Sequence, residues 1–368
     1  MKSSKVFLLC IILIFSFSII AYATEEGKAI KEIKFLTKKG LYENALVRAD
    51  FYLEKNPASL RVRKLKIDLL VKLSRFDEAL KNYEFFIRYS KAKKENIKIL
   101  SNILVPYLKS LANMDISDTQ KRAVISMLCE IKDESTIKRL KEIYAFPPSR
   151  SEKIWAASLL AQIGKKDYIP YLRKVAKKVN LSKEEKLYVI FAFSSDDSPL
   201  LKKTLLSMLK REKDKEVIAY IYWALTRLGD DHRRELRIML NRVDGKVKST
   251  LFFLLGELRD KEFSTRTPTD DKRLLPSFYW ALYRRGDRSA LDELRKFISS
   301  KDKGVSLPSI FYIGLIGDKV SIPLLRHKIV SSSDMDIKIA SISSIIRIIR
   351  KDRIKTDIKI KIGFSVTL

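Results

Sequence analysis

Along most of the chain apolar residues recur three and four positions apart with charged residues between them, and only 11 Gly and 10 Pro interrupt the pattern. That spacing puts apolar side chains on one face of a 3.6-residue helix and predicts helix after helix, with strands scarce. The exception is the tail, where Ile358, Ile360 and Ile362 alternate with Lys359 and Lys361 at the two-residue period of a strand. A polar break at residues 113–117, NMDIS, separates two regions whose helices repeat at different periods. The N-terminus follows another logic: Lys2 and Lys5 precede an apolar run from Val6 to Ile20, and Ala21-Tyr22-Ala23 follows as a small-x-small cleavage site. About fifteen apolar or small residues fall short of the ~20 needed to span a bilayer. Residues 1–23 are therefore predicted to be a signal peptide, and the protein to be exported, periplasmic or secreted.

Ahead of the break the period is 34. Gly40-Leu41-Tyr42-Glu43-Asn44-Ala45-Leu46 aligns with Ser74-Arg75-Phe76-Asp77-Glu78-Ala79-Leu80, and Tyr52 with Phe86. The small Ala45 and Ala79 allow paired helices to approach, and Asn56-Pro57 closes the first unit. This resembles the tetratricopeptide repeat family over residues 24–114. Arg63 and Lys66 depart from it, standing where that family prefers large apolar residues, and Lys91 replaces the closing Pro.

Behind the break the period is about 31. Asp133, Asp197, Asp230, Asp260, Asp287 and Asp318 mark successive turns, with Lys165 in the one vacancy, and Gly164, Gly229, Gly286 and Gly317 stand just ahead of four of them. Gly closes a helix through a left-handed residue, and Asp then accepts from free amides of the next helix. Ile169-Pro170 and Ile322-Pro323 open following helices, where a missing N–H is harmless. The pattern resembles HEAT-like repeats of the bacterial phycobilisome-lyase type over residues 115–350, about seven units, leaving 351–368 as a basic tail. The fold class predicted is all-α, a superhelical solenoid of stacked helix pairs. Two near-copies, YWALTRLGD at 222–230 and YWALYRRGD at 279–287, end first helices two units apart. They predict one packing problem solved twice, with Trp223 and Trp280 in the inter-repeat core.

Composition changes the picture in two ways. Beyond the leader one cysteine remains, Cys129, so no internal disulfide forms and packing alone must stabilise the fold. Cys129 shares its repeat register with Ala161, Gly256 and Gly314 and reads as a small buried residue. Of 74 Lys and Arg, two lie in the leader; the remaining 72 against 44 acidic residues leave a formal charge of +28, which attracts polyanions.

Catalytic chemistry is poorly represented. His232 and His327 have no nearby Cys and begin no zinc spacing, and no Gly-rich phosphate loop, HExxH or GxSxG occurs. The expectation is a non-enzyme with no cofactor and no metal. The surface offers a candidate ladder: Lys141, Arg173, Arg295 and Arg326 stand eight residues beyond their turn positions, and Arg237 seven beyond its own. They fall on the second helix of each unit, which the resemblance implies lines the concave side. The leading expectation is a scaffold or adaptor binding protein partners in the bacterial cell envelope. The alternative is a binder of an anionic envelope polymer or lipid head groups through that basic groove, with nucleic acid disfavoured; resemblance to the lyases also implies tetrapyrrole handling as a lesser possibility. N-terminal sequencing of the mature protein is expected to read from Thr24 in material outside the cytoplasmic membrane; an intact Met1 terminus in the cytoplasm would remove the export expectation.

Overall fold

The computed structural model describes residues 25–90, 95–178, 180–196, 198–263, 266–267 and 271–353. The predicted signal peptide, the Ile358–Ile362 alternation and Asp197 lie outside the described residues. Among those described, every regular element is helical, and the helices pair in succession as the all-α solenoid reading requires. None is long and apolar enough to cross a membrane. The chain forms two compact units, Met1–Ser110 and Leu111–Leu368, dividing three residues before the polar break.

Unit 1 contains α1 (25–38), α2 (Tyr42–Lys55), α3 (Leu60–Lys72), α4 (Phe76–Tyr89) and α5 (Ile97–Leu111). Ala45 and Ala79 have no exposed surface, which lets α2 and α4 seat closely on their neighbours. Arg63, which departs from an apolar position, is nevertheless buried. It donates to the Pro57 carbonyl at 2.6 Å and to Asn82 at 3.3 Å, and its guanidinium lies over Phe85. Its aliphatic stem fills the apolar position while the head finds acceptors.

Unit 2 alternates first and second helices: α6 (Asp118–Glu130) with α7 (Glu134–Ala145), α8 (Arg150–Gln162) with α9 (Ile169–Ala176), and α10 (Lys183–Phe193) with α11 (Pro199–Leu209). There follow α12 (Lys215–Arg227) with α13 (Arg233–Leu240), α14 (Gly245–Glu257), α15 (Leu275–Arg285) with α16 (Ala290–Phe297), α17 (Lys303–Ile316) with α18 (Ile322–Ser331), and α19 (Met335–Arg353). The turns share one bond. The amides of Asp133, Lys165, Asp230 and Asp287 each donate at 3.0 Å to the carbonyl five residues earlier, and Asp260 and Asp318 do the same at 2.9 and 3.4 Å. That bond needs a left-handed residue just ahead of it. Gly229 and Gly317 supply φ of +100° and +83°; where the sequence has no glycine, Lys132 and Arg259 are forced to +58° and +51°. Asp260 also replaces a missing helix. Its side chain accepts from the amides of Glu262 and Phe263 at 3.0 and 2.9 Å, seating Phe263 against Phe252 behind α14.

The array in unit 2 bends until its ends meet, with α19 packed on α6. Arg347 of α19 donates to Glu130 of α6 at 3.0 and 3.1 Å in a buried pair, and Arg350 donates to the Glu130 carbonyl at 2.8 Å. The first helices α6, α8, α10, α12, α14, α15, α17 and α19 form the inner layer, and the second helices pack outside. Small residues set the inner spacing: a Cβ on Gly256 would lie 2.7 Å from Trp280 Nε1, and one on Gly314 would lie 2.8 Å from Ser344 Cα. Trp280 is wholly buried in a three-ring cluster with Phe253 of α14 and Tyr312 of α17, and its Nε1 donates to the Phe253 carbonyl at 3.2 Å. Trp223 is 1% exposed and packs edge-on to Phe191 of the preceding inner helix. Both tryptophans thus fill inter-repeat space. Trp280→Ala and Trp223→Ala are each expected to cost about 3–5 kcal/mol, read by calorimetric or circular-dichroism melting; unchanged melting in both would contradict this core assignment.

Candidate functional site

Closing the inner layer leaves a central cavity of about 1000 Å³, lined by residues from the inner helices and the loops that lead into them. This lies at the upper end of the range of small-ligand sites. Its mouth lies at the N-terminal ends of the helices. Those ends are anchored by caps: Ser117, Ser149 and Ser182 accept from the amides of Gln120, Glu152 and Glu185, and Asp214 and Asp302 accept from Val217 and Gly304. Each cap satisfies an amide that the helix itself cannot.

A circuit of polar contacts runs round the inner helices near the mouth. Arg122 of α6 donates to Glu152 of α8 at 3.1 Å, and Arg150 of α8 to Glu185 of α10 at 2.7 and 2.9 Å. Lys183 of α10 pairs with Glu216 of α12 at 2.6 Å, and Thr250 of α14 donates to that same carboxylate at 3.1 Å. Ser249 of α14 donates to Ser277 of α15 at 3.0 Å, Arg273 before α15 reaches Asp302 at 3.4 Å, and Lys303 of α17 pairs with Asp334 at 2.9 Å. Lys303 also pairs with Asp336 of α19, and Gln120 of α6 donates to Asp336 at 2.8 Å, which returns the circuit to its start. Burial would raise the Glu185 carboxyl, but the bonds from Arg150 and the Ser182 amide overcome it and hold it below the usual carboxylate range. Partly exposed pairs of this kind contribute little stability individually; together they fix which helix neighbours which.

Deeper in, the wall is aromatic. Trp155, Tyr188, Phe191, Tyr220, Phe253, Phe311 and Tyr312 line it, interleaved with small polar residues such as Ser126 and Ser343. Phe253 stacks on Tyr312 at 5.9 Å, Phe191 meets Tyr220 edge-on at 5.2 Å, and the Arg347 guanidinium lies over Phe311. Burial, with Glu216 nearby, holds the Tyr220 phenol above its ordinary value, and burial does the same for Tyr312. Both remain neutral donors at physiological pH, and neither hydroxyl has a hydrogen-bond partner among the described residues. The lining carries Arg122, Lys246, Arg273, Lys303 and Arg347 against Glu184, Glu216, Asp271, Asp302 and Asp336, so its formal charges cancel.

The five ladder residues stand elsewhere. Lys141, Arg173, Arg237, Arg295 and Arg326 lie on α7, α9, α13, α16 and α18, all second helices, and none lines the cavity. The expectation that second helices face the concave side is corrected: closure turns the first helices inward. Arg237 donates to Asp260 at 2.5 Å and pairs with Glu262 at 2.7 Å. Arg295 grips Asp318 with two bonds of 2.9 and 2.8 Å. Both reach the turn aspartate 23 residues ahead, so these arginines tie one repeat to the next. Arg326 is 7% exposed, Arg173 is half-buried, and Lys141 is exposed. Cys129 is buried as its register predicts, and burial, with Glu130 alongside, pushes its thiol up to about 12.

The sequence reading missed the tyrosines of the cavity. On helices that are apolar on every side, a tyrosine facing a void and one facing packed core look alike. A usable signal was present: Ser126, Ser158 and Ser249 recur inside otherwise apolar first helices.

No family model matches the chain. No curated protein matches it in sequence. Among solved structures it is similar to an engineered protein determined by a structural genomics consortium, at 15% identity over 87% of this chain and 98% of that one, with a TM-score of 0.26. A superposition that weak carries no argument about fold or function.

The pairing of Arg295 with Asp318 has a testable pH signature. Burial would raise the Asp318 carboxyl, but the bonds from Arg295 and Ser321 leave it below the usual carboxylate range. A carboxyl depressed in the folded state stabilises above its unfolded pKa of roughly 3.9, and that stability is lost as pH falls through the folded value. Arg295→Gln is expected to lower stability by about 1–3 kcal/mol near neutral pH, with the difference from wild type shrinking below about pH 4. Denaturant melts across pH check this; a pH-independent difference would contradict the pairing.

Proposed function

We propose that the protein is an exported, non-enzymatic binding protein of the cell envelope in which unit 2 is a receptor for a compact ligand and unit 1, tetratricopeptide-like, takes a segment of a protein partner. The observation that carries this reading is the aromatic cavity inside the closed inner layer, with two tyrosine hydroxyls unspent in its wall. Aromatic faces supply contact area at small entropic cost, and a few fixed polar groups orient the ligand. The balanced charge of the lining favours a net-neutral ligand there over an anionic polymer. Such a polymer would meet the excess positive charge on other surfaces, where binding weakens steeply as salt rises. Tetrapyrrole handling stays the least supported reading, since it rests on the repeat resemblance alone.

Ala123 and Ala340 are small lining residues on α6 and α19 that leave room for a larger side chain in the cavity. The wild-type chain is expected to bind the neutral fluorophore N-phenyl-1-naphthylamine with enhanced emission. Ala123→Trp combined with Ala340→Trp is expected to abolish that signal with the helical spectrum and melting preserved. Equal emission from a folded double variant would contradict the receptor reading.

A further inference from the structure

At the C-terminal ends of α12 and α15 the two near-identical nonapeptides deliver the same pair of side chains. Arg227 follows Trp223 by four residues on α12, and Arg284 follows Trp280 by four on α15. Each guanidinium carbon lies 5.0 Å from the centroid of its own tryptophan ring. α14 runs between these helices in the inner layer and ends on Glu257, at the same end at which α12 ends on Arg227 and α15 carries Arg284. Arg284 Nη1 is 3.8 Å from Glu257 Oε1, and Arg227, Lys351 and Arg259 act on the same carboxylate. Burial pushes the Glu257 carboxyl above its ordinary value in spite of these four cations.

The arginines are held but not spent. Among the described residues neither Arg227 nor Arg284 has a hydrogen-bond acceptor, although each guanidinium carries five N–H donors. The contact with Glu257 is too long for a hydrogen bond. Burial pushes both guanidiniums below their ordinary value, against the pull of Glu257. Lys351, an exposed residue whose ammonium donates to the Leu315 carbonyl, is likewise pushed down, first by burial of that ammonium and then by Arg284. Each guanidinium lies over its own indole, and the helix C-termini offset part of the repulsion among the cations. If the arginines served only to neutralise Glu257, one bidentate pair would suffice. Two guanidiniums without a hydrogen-bond acceptor, on the helices that flank α14, leave donors for an incoming anion.

We propose that this basin binds a soluble anion bearing a phosphate or diphosphate group, with Arg227 and Arg284 gripping its oxygens from two sides, Lys351 adding a point charge, and Glu257 competing for the same donors. A single carboxylate offers only two oxygens, whereas two forks call for more acceptors than that. The basin is separate from the cavity: Ala123 and Ala340 do not touch it, so either assignment can fail while the other stands.

Isothermal titration of the full chain with inorganic pyrophosphate at low salt tests the site. The wild-type chain is expected to bind. Arg227→Gln with Arg284→Gln is expected to weaken binding about tenfold or more, and Arg284→Lys to fall between, because it keeps the charge and loses the fork. Glu257→Gln removes the competing carboxylate and is expected to tighten binding, a result that a purely structural cluster does not give. Lys174→Gln with Lys177→Gln, exposed on the outer side, is the charge-matched control and is expected to change nothing. Absent binding by wild type, equal loss in the control, or unchanged affinity in Glu257→Gln would overturn the proposal, and the last two variants decide it even if the double arginine variant fails to fold. Cosedimentation with phosphatidylglycerol vesicles separates a lipid head group from a soluble anion: retention that depends on the arginines, without pyrophosphate binding, would overturn the soluble assignment.

Discussion

The contact on which unit 2 depends is the meeting of its last inner helix with its first. Helix pairs that repeat with a small constant rotation trace a superhelix, and nothing local obliges the ends to touch. Here α19 seats on α6 through the buried Arg347–Glu130 pair, with Gln120 and Asp336 joined nearer the mouth. Breaking a buried ion pair by removing one partner is costly because it strands the other charge. That makes the pair a strong condition on register: α19 must arrive with Arg347 opposite Glu130. Once it does, the first helices form an inner layer with a void, and the turn aspartates hold the outer arginines of the preceding repeats.

Charge is partitioned by this arrangement. The mouth and wall of the cavity balance five cations against five carboxylates, so the excess of basic residues is carried elsewhere. On the outer layer part of it is consumed in structural pairs such as Arg237 with Asp260 and Arg295 with Asp318. The ends of the inner helices behave differently from one another. N-terminal ends carry caps and carboxylates interleaved with the cations of the circuit, whereas C-terminal ends gather Arg227, Arg284, Arg350 and Lys351, cations matched to the dipole they face, with Glu130 and Glu257 among them.

Much of the repeat was legible because it is local. The turn spacing found the helix boundaries, and the register shared by Cys129, Ala161, Gly256 and Gly314 found the close approaches, since a side chain at Gly256 would strike Trp280. The same reasoning extends to Lys132 and Arg259, which take up the left-handed turn without being glycine. What escaped is non-local. Gln120 and Asp336 meet across 216 residues. No periodicity announces such a contact, and without it the inner and outer faces cannot be told apart. The ladder residues were correctly grouped by register and assigned to the wrong side of the layer for that reason. Their 23-residue offset to the turn aspartates was visible in the sequence, but as two patterns rather than one.

Closure is therefore the claim to test. A chain beginning at Thr24 with Gln120→Cys, Asp336→Cys and Cys129→Ala, treated at low concentration with a short thiol-specific crosslinker, reports whether α6 and α19 are neighbours in solution. The closed arrangement predicts near-complete intramolecular linkage, seen as a faster-migrating band under denaturing conditions that a Lys141→Cys, Asp336→Cys control does not give. Absence of that band, with both thiols reactive to a monofunctional reagent, would mean that the array stays open and that the cavity does not exist as described.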